Sequence, residues 1–311
     1  EKMLLSSGTI NIISDPAGAE VVVNGVNIVA SVVLALGAGS WPGLGFEGVA
    51  WGTVIAQYSG MLFCVLVCLL KYRSHVFSGF RIRELRGMLS ASELRGFFRL
   101  NLNLFGRSVG FTAIYIGYTM IAARYGDMML ACSSIMMQLL MIFSYFTDGF
   151  AYAGEALTGR FIGAGDEPML RRTVKYVFVW SMSIAVLFVG VYKLLGVPAL
   201  QLLTSDANVV EACRKFLPWL ILMPPLGCAA FTWDGVFLGA TASRSICLAM
   251  VWAAASFFVV WMLSKVLVLN HFEGGVRYDE IALHCLLAAY FAHLLARTVY
   301  LSVRYRKDIN V

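Results

Sequence analysis

Of the 311 residues, 59% are hydrophobic and only 14% are charged, with a mean hydropathy of +0.77, whereas a soluble domain carries about 25% charged residues. That composition excludes an ordinary soluble enzyme and points into a bilayer. The net charge of +6 and isoelectric point near 9.0 could suggest nucleic acid. However, the basic residues fall between apolar runs and form no patch with interleaved aromatics, so no nucleic-acid partner is expected.

In chain order, GTINIISDPAGAEVVVNG at 8–25 alternates apolar and polar residues on either side of a Pro/Gly turn and ends in Asn-Gly, which predicts a short β hairpin. The segment resembles the core of a PEGA-type surface β module, and residues 1–25 are therefore set apart as an atypical N-terminal segment. The alternative is that Val21 to Gly39 forms one helix with an irregular lead-in. Apolar stretches of the length needed to cross about 30 Å of hydrocarbon follow at 22–39, 46–70, 98–123, 129–160, 172–196, 209–238, 244–269 and 280–303. The expectation is an all-α polytopic membrane protein with about eight transmembrane helices.

Orientation follows the distribution of Lys and Arg. One alternate set of connections holds Lys71, Arg73, Arg81, Arg83, Arg86, Arg95, Arg99, Arg160, Arg171, Arg172, Lys175, Arg244, Arg304, Arg306 and Lys307, fifteen in all. The other holds four, Arg124, Arg214, Lys215 and Arg277. The long basic loop at 71–96 and the C-terminus are thus expected in the cytoplasm. At 163–168, Gly163 and Gly165 suit a helix end, and Asp166, Glu167 and Pro168 suit the N-cap and first turn of the next helix. The seven cysteines, Cys64, Cys68, Cys132, Cys213, Cys228, Cys247 and Cys285, are scattered through apolar runs. No disulfide framework, zinc site or other metal site is expected from them.

Charges inside the spans need an explanation, because an ionised side chain at the bilayer centre costs about 2.5–3.5 kcal/mol on insertion scales. Asp148 and Glu155 are seven residues apart, which places them on one helix face about 10 Å apart along the axis. Gly149, Ala153, Gly154, Ala156 and Gly159 accompany them, and small residues imply close helix contact. Arg107 in NLFGRSVGF and Asp234 in FTWDGVFLGA are the other in-span charges, and Arg107 is expected to pair with Asp234 or Asp148. Each carboxylate is either a hydrogen-bonded packing element or a group whose protonation drives a conformational change. Lys193, Lys265 and Arg297 are expected to snorkel from helix ends. His284 and His293, nine apart, fall on opposite helix faces. Gln138, Tyr115 and Tyr118 are candidates for lining a polar cavity.

Four stretches, DGFAYAGEALTGRFIGAGD at 148–166, GRSVGF at 106–111, WDGVFLGATASR at 233–244 and GVAWGTVIAQYSG at 48–60, resemble the multidrug and toxic compound extrusion (MATE) family, in particular its DinF-like branch. The resemblance covers roughly residues 26 to 306. It implies two six-helix bundles flanking a central cavity, of which 26–95 would hold the last two helices of the first bundle and a cytoplasmic linker, and 96–311 the second six-helix bundle. FEG at 46–48, opening the 46–70 span, recurs at 272–274 before the final span, a faint internal symmetry.

The resemblance further implies export of a small amphipathic or cationic solute by a secondary active antiporter in a bacterial-type plasma membrane. No cofactor is implied, and the coupling ion would be the proton, with sodium left open. Asp234 falls where family members carry an acidic residue of the tenth helix that takes part in cation coupling. Arg107 stands where sodium-coupled relatives tend to carry Glu, which argues against a sodium site in this bundle. The proton-coupling Asp of the DinF-like branch belongs to a first helix outside these residues, and the four absent helices are expected to be needed for activity. The alternative is a non-transporting membrane scaffold from a truncated or fused gene. An embedded enzyme is not expected, since neither paired Asp-rich motifs nor HExxH occur.

Overall fold

The computed structural model describes residues 26–27, 29–37, 42–71, 91–272 and 277–309. The expected β module at 8–25, the first part of the 22–39 span and most of the 71–96 loop lie outside the described residues. The described chain is helical, with no strand among the described residues. It divides between Arg95 and Gly96 into two compact units.

In the first unit a helix over residues 29–36, α1, is followed by α2 (Phe46–Lys71). The connection turns tightly: Gly43 and Gly45 have φ of 76° and 58°, and the Leu44 amide donates to the Leu34 carbonyl at 2.7 Å. Gly48 and Gly52 let the helices close, since a Cβ at either would collide with the backbone of Leu34 or Ser31.

The helix α3 (Ala91–Ala122) leads into the second unit. It is followed by α4 (Asp127–Ala164), α5 (Glu167–Leu203), a short α6 (Ala207–Arg214), α7 (Leu217–Gly239), α8 (Ser243–Leu267) and α9 (Tyr278–Asp308). Single turns of 3-10 helix at Ala123–Tyr125 and Leu269–His271 close two of the connections. The expected span at 209–238 is in fact two pieces. Asp206 caps α6 by accepting from the Asn208 amide at 2.8 Å, α6 ends at Arg214, and Pro218 then starts α7.

Six helices among the described residues are long and apolar enough to cross a membrane: α2, α4, α5, α7, α8 and α9. The eight expected spans are therefore not all confirmed. Helix α3 has the length, but Arg95, Arg99, Asn101, Asn103 and Arg107 dilute its hydropathy. Its contacts are nonetheless interior. Gly106 and Gly110 lie against Cys247 and Met250 of α8, and Tyr118 meets Tyr290 of α9 edge to face with ring centroids 5.8 Å apart.

Helix α7 is the most deeply buried of the six. It is apolar all round, as a helix enclosed by other helices must be, and tolerates Pro224 and Pro225 in its interior. It packs on α4 through Gly235 and Gly239, where a Cβ would strike the carbonyl oxygens of Ala151 and Glu155. This is the small-residue spacing that brings membrane helices to backbone contact. The α4–α5 connection forms as its residues predict. Gly165 takes the left-handed conformation with φ 67°, and the Asp166 carboxylate accepts from the Met169 amide at 3.0 Å.

Candidate functional site: a buried carboxylate between two arginines

Asp234 immediately precedes Gly235 in the last third of α7, where Gly235 and Gly239 hold the helix against α4, and is 8% exposed. Its Oδ2 accepts from Nη2 of Arg107 on α3 at 2.8 Å and from Nη2 of Arg297 on α9, also at 2.8 Å. One carboxylate oxygen therefore ties three helices together. Its Oδ1 is buried with no hydrogen-bond partner among the described residues.

The pairing of Arg107 with Asp234 that the sequence allowed is made, at 2.8 Å. Arg297 is a correction. It was expected to snorkel from a helix end, but α9 continues about three turns beyond it, to Asp308, and Arg297 is only 3% exposed. Its guanidinium also donates to the Ala230 carbonyl at 3.2 Å and lies 5.3 Å above the Phe231 ring. An arginine so desolvated is tolerable because it is paired and stacked. His293, one turn earlier on the same face, is 1% exposed and packs against Tyr290 with ring centroids 4.6 Å apart. The i,i+4 spacing of His293 and Arg297 was the signal available in the sequence. What it could not supply was the partner, which comes from another helix.

Asp148 and Glu155 are half-buried on α4, and both lie within electrostatic reach of Arg107. The buried stripe of α4 runs through Thr147, Ala151, Gly154 and Thr158, one position off the expected face. The two carboxylates flank that stripe, while Gly149, Ala153 and Ala156 are exposed. The arrangement thus gathers Arg107, Arg297, Asp234, Asp148 and Glu155 around one place in the bundle.

The three cavity candidates separate. Gln138 and Tyr115 are exposed, whereas Tyr118 is buried in the core with its hydroxyl donating to the Ser133 carbonyl at 3.4 Å. An apolar groove of about 570 Å³ runs along α3 and α8, lined by Phe105, Val109, Ile116, Met120 and Phe258 with Ser108 and Thr112, and includes none of the charged residues. Among the described residues, no three His, Cys, Asp or Glu are grouped to hold a metal ion. Lys193 and Lys265 are exposed. His284 accepts from the Trp219 indole N–H at 2.9 Å, joining the starts of α7 and α9.

Membrane-length helices packed through glycines, with an arginine–aspartate–arginine cluster between them, define a polytopic α-helical membrane protein. The MatE family model matches residues 105–263, just over half of the chain, and the chain belongs to that family of multi-pass membrane proteins. It is 33% identical over 241 residues to DNA damage-inducible protein F of Escherichia coli K12, an alignment covering 76% of this chain and 50% of that protein. The chain thus spans about half the length of this curated relative.

Solved structures agree in fold. A MATE protein in its straight conformation superposes with a TM-score of 0.75 at 15% identity, covering 96% of this chain and 64% of that one. The outward-facing form of a multidrug resistance MATE family transporter gives 0.70 at 16% identity, covering 93% and 62%. The bent form of the Vibrio cholerae transporter VcmN gives 0.69 at 14% identity, covering 95% and 62%.

Proposed function

We propose that this chain serves a secondary active exporter that moves a small amphipathic or cationic solute out of the cell in exchange for protons. Its place is a bacterial-type plasma membrane, with the C-terminus in the cytoplasm. The observation that carries this reading is the charge balance around Arg107. Arg107 is within electrostatic reach of three carboxylates, Asp234, Asp148 and Glu155, and Arg297 pairs with the first, so among these five groups negative charge exceeds positive by one. One monovalent cation neutralises it. A proton and a cationic solute can therefore compete for the same deficit, which is the elementary requirement for exchange. Asp234 is clamped by both arginines in this conformation, and Asp148 and Glu155, half-buried on α4, are the carboxylates closer to solvent, from which a proton can reach them.

The test is transport by the chain joined to the four helices that its family resemblance implies, reconstituted in liposomes, with a fluorescent lipophilic cation inside and either a proton or a sodium gradient imposed. Dye movement driven by the proton gradient is expected. Asp148→Asn, nearly isosteric and still hydrogen-bonding, should incorporate normally and lose most of that movement, and Glu155→Gln should lose less. Movement driven by sodium alone overturns proton coupling. No movement with either gradient, in well-incorporated protein, overturns the exporter reading and favours a membrane scaffold.

A further inference from the structure

Cys132 and Cys213 are far apart in the sequence, and nothing in their spacing marks them as a pair. The fold brings them together. Cys132 lies near the start of α4 with its sulfur aimed at α6, 3.9 Å from the Val209 carbonyl oxygen. Cys213 is one turn beyond Val209 on α6, so it shares the face that Cys132 approaches, and the two thiols are close enough to influence each other's ionisation. Both are free thiols in this structure, and both are 0% exposed. The start of α4 and all of α6 belong to the connections poor in Lys and Arg. In the orientation proposed above, on which this inference rests, they lie on the extracytoplasmic side. Structural disulfides persist in that compartment.

We propose that Cys132 and Cys213 close a disulfide that staples α6 to the start of α4. The oxidant is an extracytoplasmic protein disulfide donor. One cysteine thiolate attacks the donor disulfide, forming a mixed disulfide and releasing one donor thiol; the second thiolate then displaces the remaining donor sulfur. Two S–H bonds are lost, one S–S bond forms, and the donor leaves as two thiols carrying both electrons and both protons. Because both sulfurs are shielded in the folded bundle, the exchange takes place before α6 docks. The closed bond is afterwards protected from reductant. Its consequence reaches the charge cluster, because α6 leads directly into α7 and fixes the start of the helix that carries Asp234.

The experiment is a thiol count on the full chain. Cells are quenched in acid, the protein is denatured without reductant and alkylated, and its peptides are mapped by mass. The expected result is that the Cys132 and Cys213 peptides appear joined and separate on reduction, with the other cysteines alkylated. In Cys213→Ala, Cys132 should become alkylatable, and the unfolding temperature should fall. In a second arm, membranes holding the reduced protein are treated with iodine, a small oxidant that partitions into lipid and links adjacent thiols in any compartment. A link formed by iodine but absent from cells overturns the native disulfide, while the orientation on which it rests is read separately, by labelling of a cysteine placed at Ser78 with a membrane-impermeant thiol reagent. No link in either arm overturns the juxtaposition itself.

Discussion

The Oδ2 atom of Asp234 links three helices, because two guanidiniums converge on it from different helices at 2.8 Å each. The two partners are not equivalent. The Arg107 side chain is 34% exposed and that of Arg297 is 4% exposed, so solvent can screen the first and not the second. Removing Asp234 strands a buried cation, an error that costs about 3–5 kcal/mol where it has been measured. Asp234→Ala should therefore lower the thermal stability of the detergent-solubilised protein more than Arg107→Ala does. Adding Arg297→Met to Asp234→Ala should recover part of the loss, since the stranded charge is gone. Equal stability of Asp234→Ala and Arg107→Ala, with no recovery in the double variant, would show that Arg297 is stabilised by the Ala230 carbonyl and Phe231 alone.

At the scale of elements, the same helix-ending motif occurs twice with different residues at its left-handed position. After α4, Gly165 donates to the Ile162 carbonyl and Asp166 to that of Phe161; after α7, Thr241 donates to Leu238 and Ala242 to Phe237. Gly165 has φ 67° and Thr241 has φ 55°. A β-branched residue is strained there by roughly 1–2 kcal/mol. Thr241→Gly should accordingly raise the unfolding temperature and Gly165→Thr should lower it, both read by thermal unfolding in detergent; no change in either would mean the turns relax freely.

Glycines within helices should divide just as sharply. Gly235→Ala and Gly239→Ala drive a methyl into the α4 backbone and should destabilise by about 1–3 kcal/mol, whereas Gly149, with open space around it, should accept Ala with a neutral or slightly stabilising effect. A Gly235→Ala protein as stable as Gly149→Ala would argue against the close α4–α7 crossing.

Across the second unit, helix ends collect at two levels. The starts of α7 and α9 meet through Lys215 and Glu280 at 2.7 Å and through Trp219 and His284. At the opposite end, Gly239 meets Glu155 and Ser245 meets Asp308, which also pairs with Arg304 at 3.0 Å. The second level is the one rich in Arg and Lys, which is what the cytoplasmic placement proposed for it requires. A cysteine introduced at Ser78, in the basic 71–96 loop and in a background without the native cysteines, should resist a membrane-impermeant thiol reagent in intact cells and react after the membrane is opened. Rapid labelling in intact cells would invert the orientation.

By itself the sequence determined the class, the helices and much of their punctuation. Membrane helices satisfy their own backbone, so length and hydropathy find most of them, though not the low hydropathy of α3 or the break between α6 and α7, and caps such as Gly165 and Asp166 act within a few residues. The families of motifs at 106–111, 148–166 and 233–244 were legible for the same reason, being local strings. The tertiary structure alone decided which charges meet. Arg107, Asp234 and Arg297 come from three helices, and a period of 3.6 residues says which face a residue occupies without saying what faces it. Arg297 was misread as an anchor because burial depends on how far α9 continues and on its neighbours. The buried stripe of α4, one position from the carboxylates, was set by where Gly235 and Gly239 of another helix make contact. Cys132 and Cys213 are neighbours only because a short helix folds back on α4. Each of these is a long-range contact, and no local pattern encodes its partner.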